Sequence, residues 1–265
     1  DNIANVNTTA YKASEARYAD SFSNILQRSA MGSSSSSNTP AVGIGTGVNL
    51  AGINTNFNQG SLASTGRTTD LGISGNGFFR VRNIVDSMEY ATRAGDFRWD
   101  DQGYLVTAQG LRVQGASGTG LATVGDIRLG TPPTGTQRQS VSIDRSGNVI
   151  EFYSDGSSAT TNRLLLQGFT DSSALVREGN NLYSGLLAAG PIGAAAGSLG
   201  LDPDVNAPGD NGLGTIQSGT LELSNVDLTD QFANLITTQR SFQAGSRLVT
   251  VSDTVLEDIV NLKRH

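Results

Sequence analysis

Cysteine and histidine, the side chains that most often serve as general base or activate a nucleophile, are nearly missing from this chain. It has no cysteine and one histidine, His265, at the very end. Thiolate chemistry, disulfides and cysteine-ligated metals are therefore excluded, and the usual general base is absent from the interior. Carboxylates remain, and a glycosidase would need a pair of them. The adjacent Asp100 and Asp101 fall in the turn DDQG, where aspartate is favoured because its side chain accepts from nearby backbone N–H groups. The glycines of VGIGTGV (42–48) suggest a phosphate cradle, but no strand leads in, no helix follows, and no Gly-Lys-Ser/Thr completes the motif. DPDVNAPGD (202–210) opens like a calcium loop, yet Ala207 replaces the turn glycine and Leu213 the bidentate glutamate. No catalytic set, metal site or cofactor loop results, and the expectation is a protein that is not an enzyme. A secreted carbohydrate-binding β domain is the rival from another class. It would need an aromatic platform, and Trp99, the single tryptophan, is all that is available.

The elements that would position any site are set by composition. Of the 265 residues, 37% are hydrophobic, 16% are charged and 33 are glycine, which suits a turn-rich β protein with polar, uncharged outer surfaces. The formal charge is −6 with no block of basic residues, so nucleic acid is excluded as a partner. No run approaches the roughly 18 apolar residues of a membrane span, so no membrane insertion is expected. The start shows no signal-peptide pattern. The chain opens at Asp1 without a methionine, and DNIANVNT reads as the end of a helix that begins upstream.

Residues 1–31 are expected to be this helix end and an extended arm, and 32–41 (GSSSSSNTPA) a flexible Gly/Ser linker. Residues 42–218 alternate in the manner of a β-rich body. Its first part is 42–115, with a Gly-Asn-Gly turn at 75–77; its second part is 116–218, with a hairpin around Ser146-Gly147-Asn148 and a long Gly/Ala/Pro loop at 185–215. Residues 219–265 carry the C-terminal helix. Asn225 is its expected N-cap, with Asp227 and Asp230 in the first turn and Lys263 and Arg264 in the last, matched to the helix dipole.

Steps of four and three through this helix select Leu228, Phe232, Leu235, Gln239, Phe242, Ser246, Val249, Asp253, Leu256 and Val260. Seven of the ten are apolar, which is a heptad seam rather than a broad globular face. A helix of about 36 residues spans roughly 54 Å, more than one domain of this size needs. The expected assembly surface is therefore Leu228, Phe232, Leu235, Gln239, Phe242, Val249, Leu256 and Val260. With an apolar stripe at each end of the chain, the two ends are expected to lie together.

The opening DNIANVNTTAYKASEARYADSF resembles the N-terminal signature of bacterial flagellar axial proteins, the rod and hook family. The blocks VGIGTGVNLAGINTNFNQGSLASTGRTTDLGISGNGFFRV (42–81) and YATRAGDFRWDDQGYLVTAQGLRVQG (90–115) are similar to the family's central signatures. The closing segment from Gly219 is similar to its C-terminal helix, with Gly245 where the motif usually has Asn. The resemblance implies a mainly β fold with terminal α-helices: a hook/rod-type β body whose long N- and C-terminal helices form a coiled-coil-like inner layer. It implies a structural subunit that polymerises with itself into a helical tube, exported to the cell exterior by the flagellar type III system. Within the family, TGRTTDLGIS, SNVDL and NLKR favour the hook, the flexible joint that passes motor torque from rod to filament. The distal rod protein, hook cap and hook–filament junction proteins would then be partners. The short span between Gly115 and Gly219 argues the other way, because many hook proteins carry a large extra outer domain there. The distal rod subunit is the alternative.

Overall fold

The computed structural model describes residues 1–29, 31, 37–193 and 199–262. It has three parts: a β body, a two-stranded ribbon and a long helix. The ribbon is built by β1 (Ser14–Asp20), β2 (Ser23–Gln27), β3 (Val42–Gly45) and β4 (Val48–Thr55), with β1 antiparallel to β4 and β2 to β3. The long N-terminal helix that the resemblance implies is not seen among the described residues. The described start holds one 3-10 turn, Ile3–Asn5, and then extended chain. Alternating Glu15, Arg17 and Ser23 with apolar neighbours gave a trace that fits period 2 as well as period 3.6, and pairing with 42–55 decided for strands. VGIGTGV thus forms a ribbon strand and its link to the next, not a phosphate loop. Half of the expected linker at 32–41, residues 32–36, lies outside the described residues.

The body begins with β5 (Leu62–Ser64) and β6 (Leu71–Ser74). The expected Gly-Asn-Gly turn follows, with φ of 116° at Gly75 and 124° at Gly77, and leads into β7 (Phe78–Arg82). Next come β8 (Glu89–Thr92), β9 (Arg98–Trp99), β10 (Leu105–Val106), β11 (Arg112–Ser117) and β12 (Thr123–Asp126). The hairpin around Gly147 joins β13 (Arg138–Ile143) to β14 (Asn148–Tyr153), followed by β15 (Ser158–Leu164), β16 (Leu166–Gln167), β17 (Val176–Gly179) and β18 (Leu182–Ser184). Their main path runs β13-β14-β15-β11-β7-β8-β18-β17, with β12, β10 and β16 attached at its sides and β9 on β10.

Strand β7 explains how this sheet is filled. Phe79 and Val81 enter the large core with Leu71, Ile73, Val113 and Leu164, while Phe78 points the other way into a second cluster with Tyr183 and Leu186. Both faces of FFRVR are buried, so the strand reads as a continuous apolar run interrupted by Arg80, which pairs with Glu89 and Gln167. Behind the loop, β19 (Thr215–Ser218) returns to pair with β6 and β20 (Thr220–Glu222) with β5. At Gly95 a Cβ would lie 1.7 Å from the Leu71 carbonyl oxygen, so only glycine lets these segments meet. The chain then enters α1 (Leu228–Leu262), which starts later than 219 because 220–222 is taken by the sheet.

Candidate assembly surface

Helix α1 starts where Asp227 Oδ1 accepts from the N–H groups of Thr229 (2.7 Å) and Asp230 (3.4 Å). Asp227 is therefore the cap, and the expected cap Asn225 has a different task described below. The 35 residues of α1 run about 52 Å at 1.5 Å per residue. None of them is buried. The apolar residues expected on the seam are all exposed, from 38% at Leu228 and 41% at Leu235 to 77% at Phe242, with Phe232, Val249, Leu256 and Val260 between, and Gln239 is exposed beside them. Lys263 and Arg264, expected in the last turn, lie outside the described residues.

The heptad template missed a second apolar line. Ile236, Leu248, Val251, Val255, Ile259 and Leu262 are also more than half exposed. From Leu248 to Leu262 eight of fifteen residues are apolar, which makes a face about half the circumference wide rather than a two-stranded seam. A 3.6-residue period would have found it. Nothing lies within 4 Å of a Cβ built on Gly245, so no contact within this chain requires glycine there.

The ribbon is the other exposed apolar element. Tyr18, Phe22, Ile25, Leu26, Ile44, Val48, Leu50 and Ile53 are all more than half exposed, and Phe22 reaches 87%. Exposed side chains on both faces mean that neither face packs on the body. Leu235 and Gln239 of the helix meet Ile3, Ala16 and Ile53 along a groove of about 520 Å³ at the ribbon's root.

Both elements spring from one buried junction. Residues 10–13 run inside the body, and the Lys12 ammonium donates to Glu222 Oε1 (2.7 Å) and to the Asn58 carbonyl (2.7 Å). Glu222 Oε1 also accepts from the Gly60 N–H at 2.8 Å, and Oε2 from Arg93 at 3.2 Å. Lys12 and Glu222 side chains are both 0% exposed. Burial pushes the Lys12 ammonium below its usual range, outweighing the neighbouring carboxylate. The chain start thus meets the root of the helix, through Asn2 Nδ2 and Gln231 Oε1 at 3.1 Å, and not its far end.

The residues suspected of chemistry have structural tasks. Asp100 Oδ1 accepts from the N–H groups of Gln102 (3.0 Å) and Tyr104 (2.6 Å), as its turn predicted. In 202–210, Asn206 Oδ1 accepts from the Asp202 N–H and its amide donates to Leu166 and Ile192 carbonyls, so the loop binds the body. Among the described residues no three His, Cys, Asp or Glu gather as a metal site. Trp99 packs against the main core rather than standing as a platform. No helix among the described residues is long and apolar enough to cross a membrane.

The folded body thus carries 35 residues of helix with no buried side chain. Residues 72–151 match the family model described as flagellar hook protein FlgE/F/G D1 domain, and residues 217–262 that described as flagellar basal body rod FlgEFG protein C-terminal. The chain is 37% identical over 264 residues to the flagellar basal-body rod protein FlgG of Bacillus subtilis, covering 100% of this chain and 91% of that protein. The chain belongs to the flagellar rod and hook family, structural components of the bacterial flagellum. The FlgG of Agrobacterium fabrum is 30% identical, covering 96% of this chain and 87% of that protein. The flagellar hook protein FlgE of Treponema pallidum is 38% identical over 122 residues, 46% of this chain and 24% of that protein. Likeness to rod proteins spans the whole chain, and this hook likeness less than half of it. That weighs against the expected hook assignment and towards its alternative.

Proposed function

We propose that this chain is a distal rod subunit, one unit of a helical tube that carries motor torque outward to the hook. The observation that carries this reading is the whole-length likeness to FlgG rod proteins. The compact body, with no extra outer domain between Gly115 and Gly219, supports it. Self-association is the primary partnership, through Leu228, Phe232, Leu235, Gln239, Phe242, Val249, Leu256 and Val260 of α1. The wide apolar face after Leu248 calls for more than one neighbouring helix, as in an inner layer shared by many subunits. The subunit reaches its place through the flagellar type III system, and the hook is its outer neighbour. Partnership with the hook cap and hook–filament junction belongs to the hook reading.

Electron microscopy of basal bodies from a strain lacking this protein tests the assignment. Rods missing their distal part are the expected result. Complete rods without hooks would instead identify the hook subunit.

A further inference from the structure

The ribbon poses a mechanical question. With both faces exposed, no core packing sets its direction, and α1 likewise has no buried side chain. The orientation of both elements is therefore decided at their roots. Two asparagines hold those roots. Asn225 Oδ1 accepts the Ala13 N–H at 2.8 Å, and its amide donates to the Asn56 carbonyl at 2.8 Å and the Asn58 carbonyl at 2.9 Å. One side chain from the approach to the helix thus ties the entry of β1 to the exit of β4. On the other side, Asn2 Oδ1 accepts the Ser14 N–H (3.0 Å) and the Tyr11 hydroxyl (3.2 Å), while its amide donates to the Ser14 carbonyl (3.0 Å) and Gln231 Oε1 (3.1 Å). A primary amide suits this task because it accepts and donates at once; a carboxylate could only accept and would face two carbonyl oxygens.

We propose that Asn2 and Asn225 form an amide clamp that fixes the angle of ribbon and helix to each other and to the body, so that the three move as one rigid lever. Lys12, buried between them in sequence and anchored on Glu222, pins the clamp to the body. The inference concerns the subunit itself and stands whether the chain is a rod or a hook component.

The absence of cysteine makes the test direct, since introduced cysteines are the sole labelling sites. Spin labels at Ala19→Cys on the ribbon, Gln139→Cys on the body and Arg240→Cys on the helix give ribbon–body and ribbon–helix distances by pulsed dipolar spectroscopy. A body pair, Gln139→Cys with Ser157→Cys, reports the fold. Dilution with unlabelled full chain removes distances between subunits. The expected result is one narrow distribution for each pair in the parent chain. In Asn2→Ala/Asn225→Ala the ribbon pairs broaden about twofold or more, as for a segment released to local motion, while the body pair stays narrow. Asp227→Ala, which removes the helix cap alone, leaves the ribbon–body distribution narrow. Unchanged ribbon distances in the double variant would overturn the clamp, and so would equal broadening of the body pair.

Discussion

Glu222 stands between two cations, Lys12 and Arg93, in a site closed to water. Removing the anion leaves like charges buried together, whereas removing Lys12 leaves a neutral pair with Arg93. Glu222→Gln is expected to cost about 3–5 kcal/mol, and the near-isosteric Lys12→Met clearly less, in urea unfolding. Lys12 also gives the stability a pH slope. Its folded pKa is lowered below 10.5, so the folded chain gives up this proton before the unfolded one does. Stability from this group therefore rises with pH between the lowered value and 10.5, and Lys12→Met removes that slope. Tyr183 acts in the opposite sense. Burial pushes its phenol up to about 12, so its contribution is full below pH 10 and lost as pH climbs through about 12. Its hydroxyl is buried with no hydrogen-bond partner, and Tyr183→Phe is expected to be neutral or stabilising and to abolish the alkaline loss.

At the scale of elements, the helix and the ribbon differ from the body in that their apolar side chains lie outside its core. Leu235→Asp with Phe242→Asp should leave the β signal in circular dichroism and the melting of the body unchanged, because neither side chain packs in the body's core. The same pair should abolish polymerisation, since an unpaired carboxylate in an apolar contact costs several kcal/mol. Tubes assembled normally by the double variant would remove this seam from the assembly surface. Gly245→Ala tests the helix itself. With open space around it, alanine should favour α1 by about 1 kcal/mol of propensity, read as increased helical ellipticity in the free subunit. A change in the stiffness or shape of the polymer beyond this would place Gly245 at a close contact between subunits.

For the whole molecule, stability is concentrated in the body. Arg17 and Arg28 of the ribbon region and Arg240 and Arg247 of the helix are exposed, whereas Arg80 and Arg93 are buried and ion-paired. Limited trypsin digestion of the free subunit should cut the first four early and the last two only on global unfolding. In the assembled tube the early sites of the helix should become protected. Cleavage at Arg240 equally fast in subunit and polymer would show that the helix is not enclosed by assembly.

How far the sequence reaches depends on the range of the interaction involved. The hairpin at Gly147, the turn at Gly75–Gly77, the Asp100 turn and the long exposed helix follow from local residue types, and all are legible from one stretch of chain. Asp227 rather than Asn225 caps α1 because Asn225 is drawn to Ala13, Asn56 and Asn58, residues more than 160 positions away. Residues 14–27 could be read from sequence only as part of an extended arm, and 42–55 lying beside them makes them strands of a ribbon. The burial of Lys12 needs Glu222 and Arg93, which only the closed fold brings to it. A mainly β body and a long, exposed C-terminal helix could be read from the sequence alone, because turn chemistry and periodicity are local properties. The tertiary structure decided the ribbon, the buried junction and the direction in which the helix leaves, because each depends on pairing between segments that the chain separates widely.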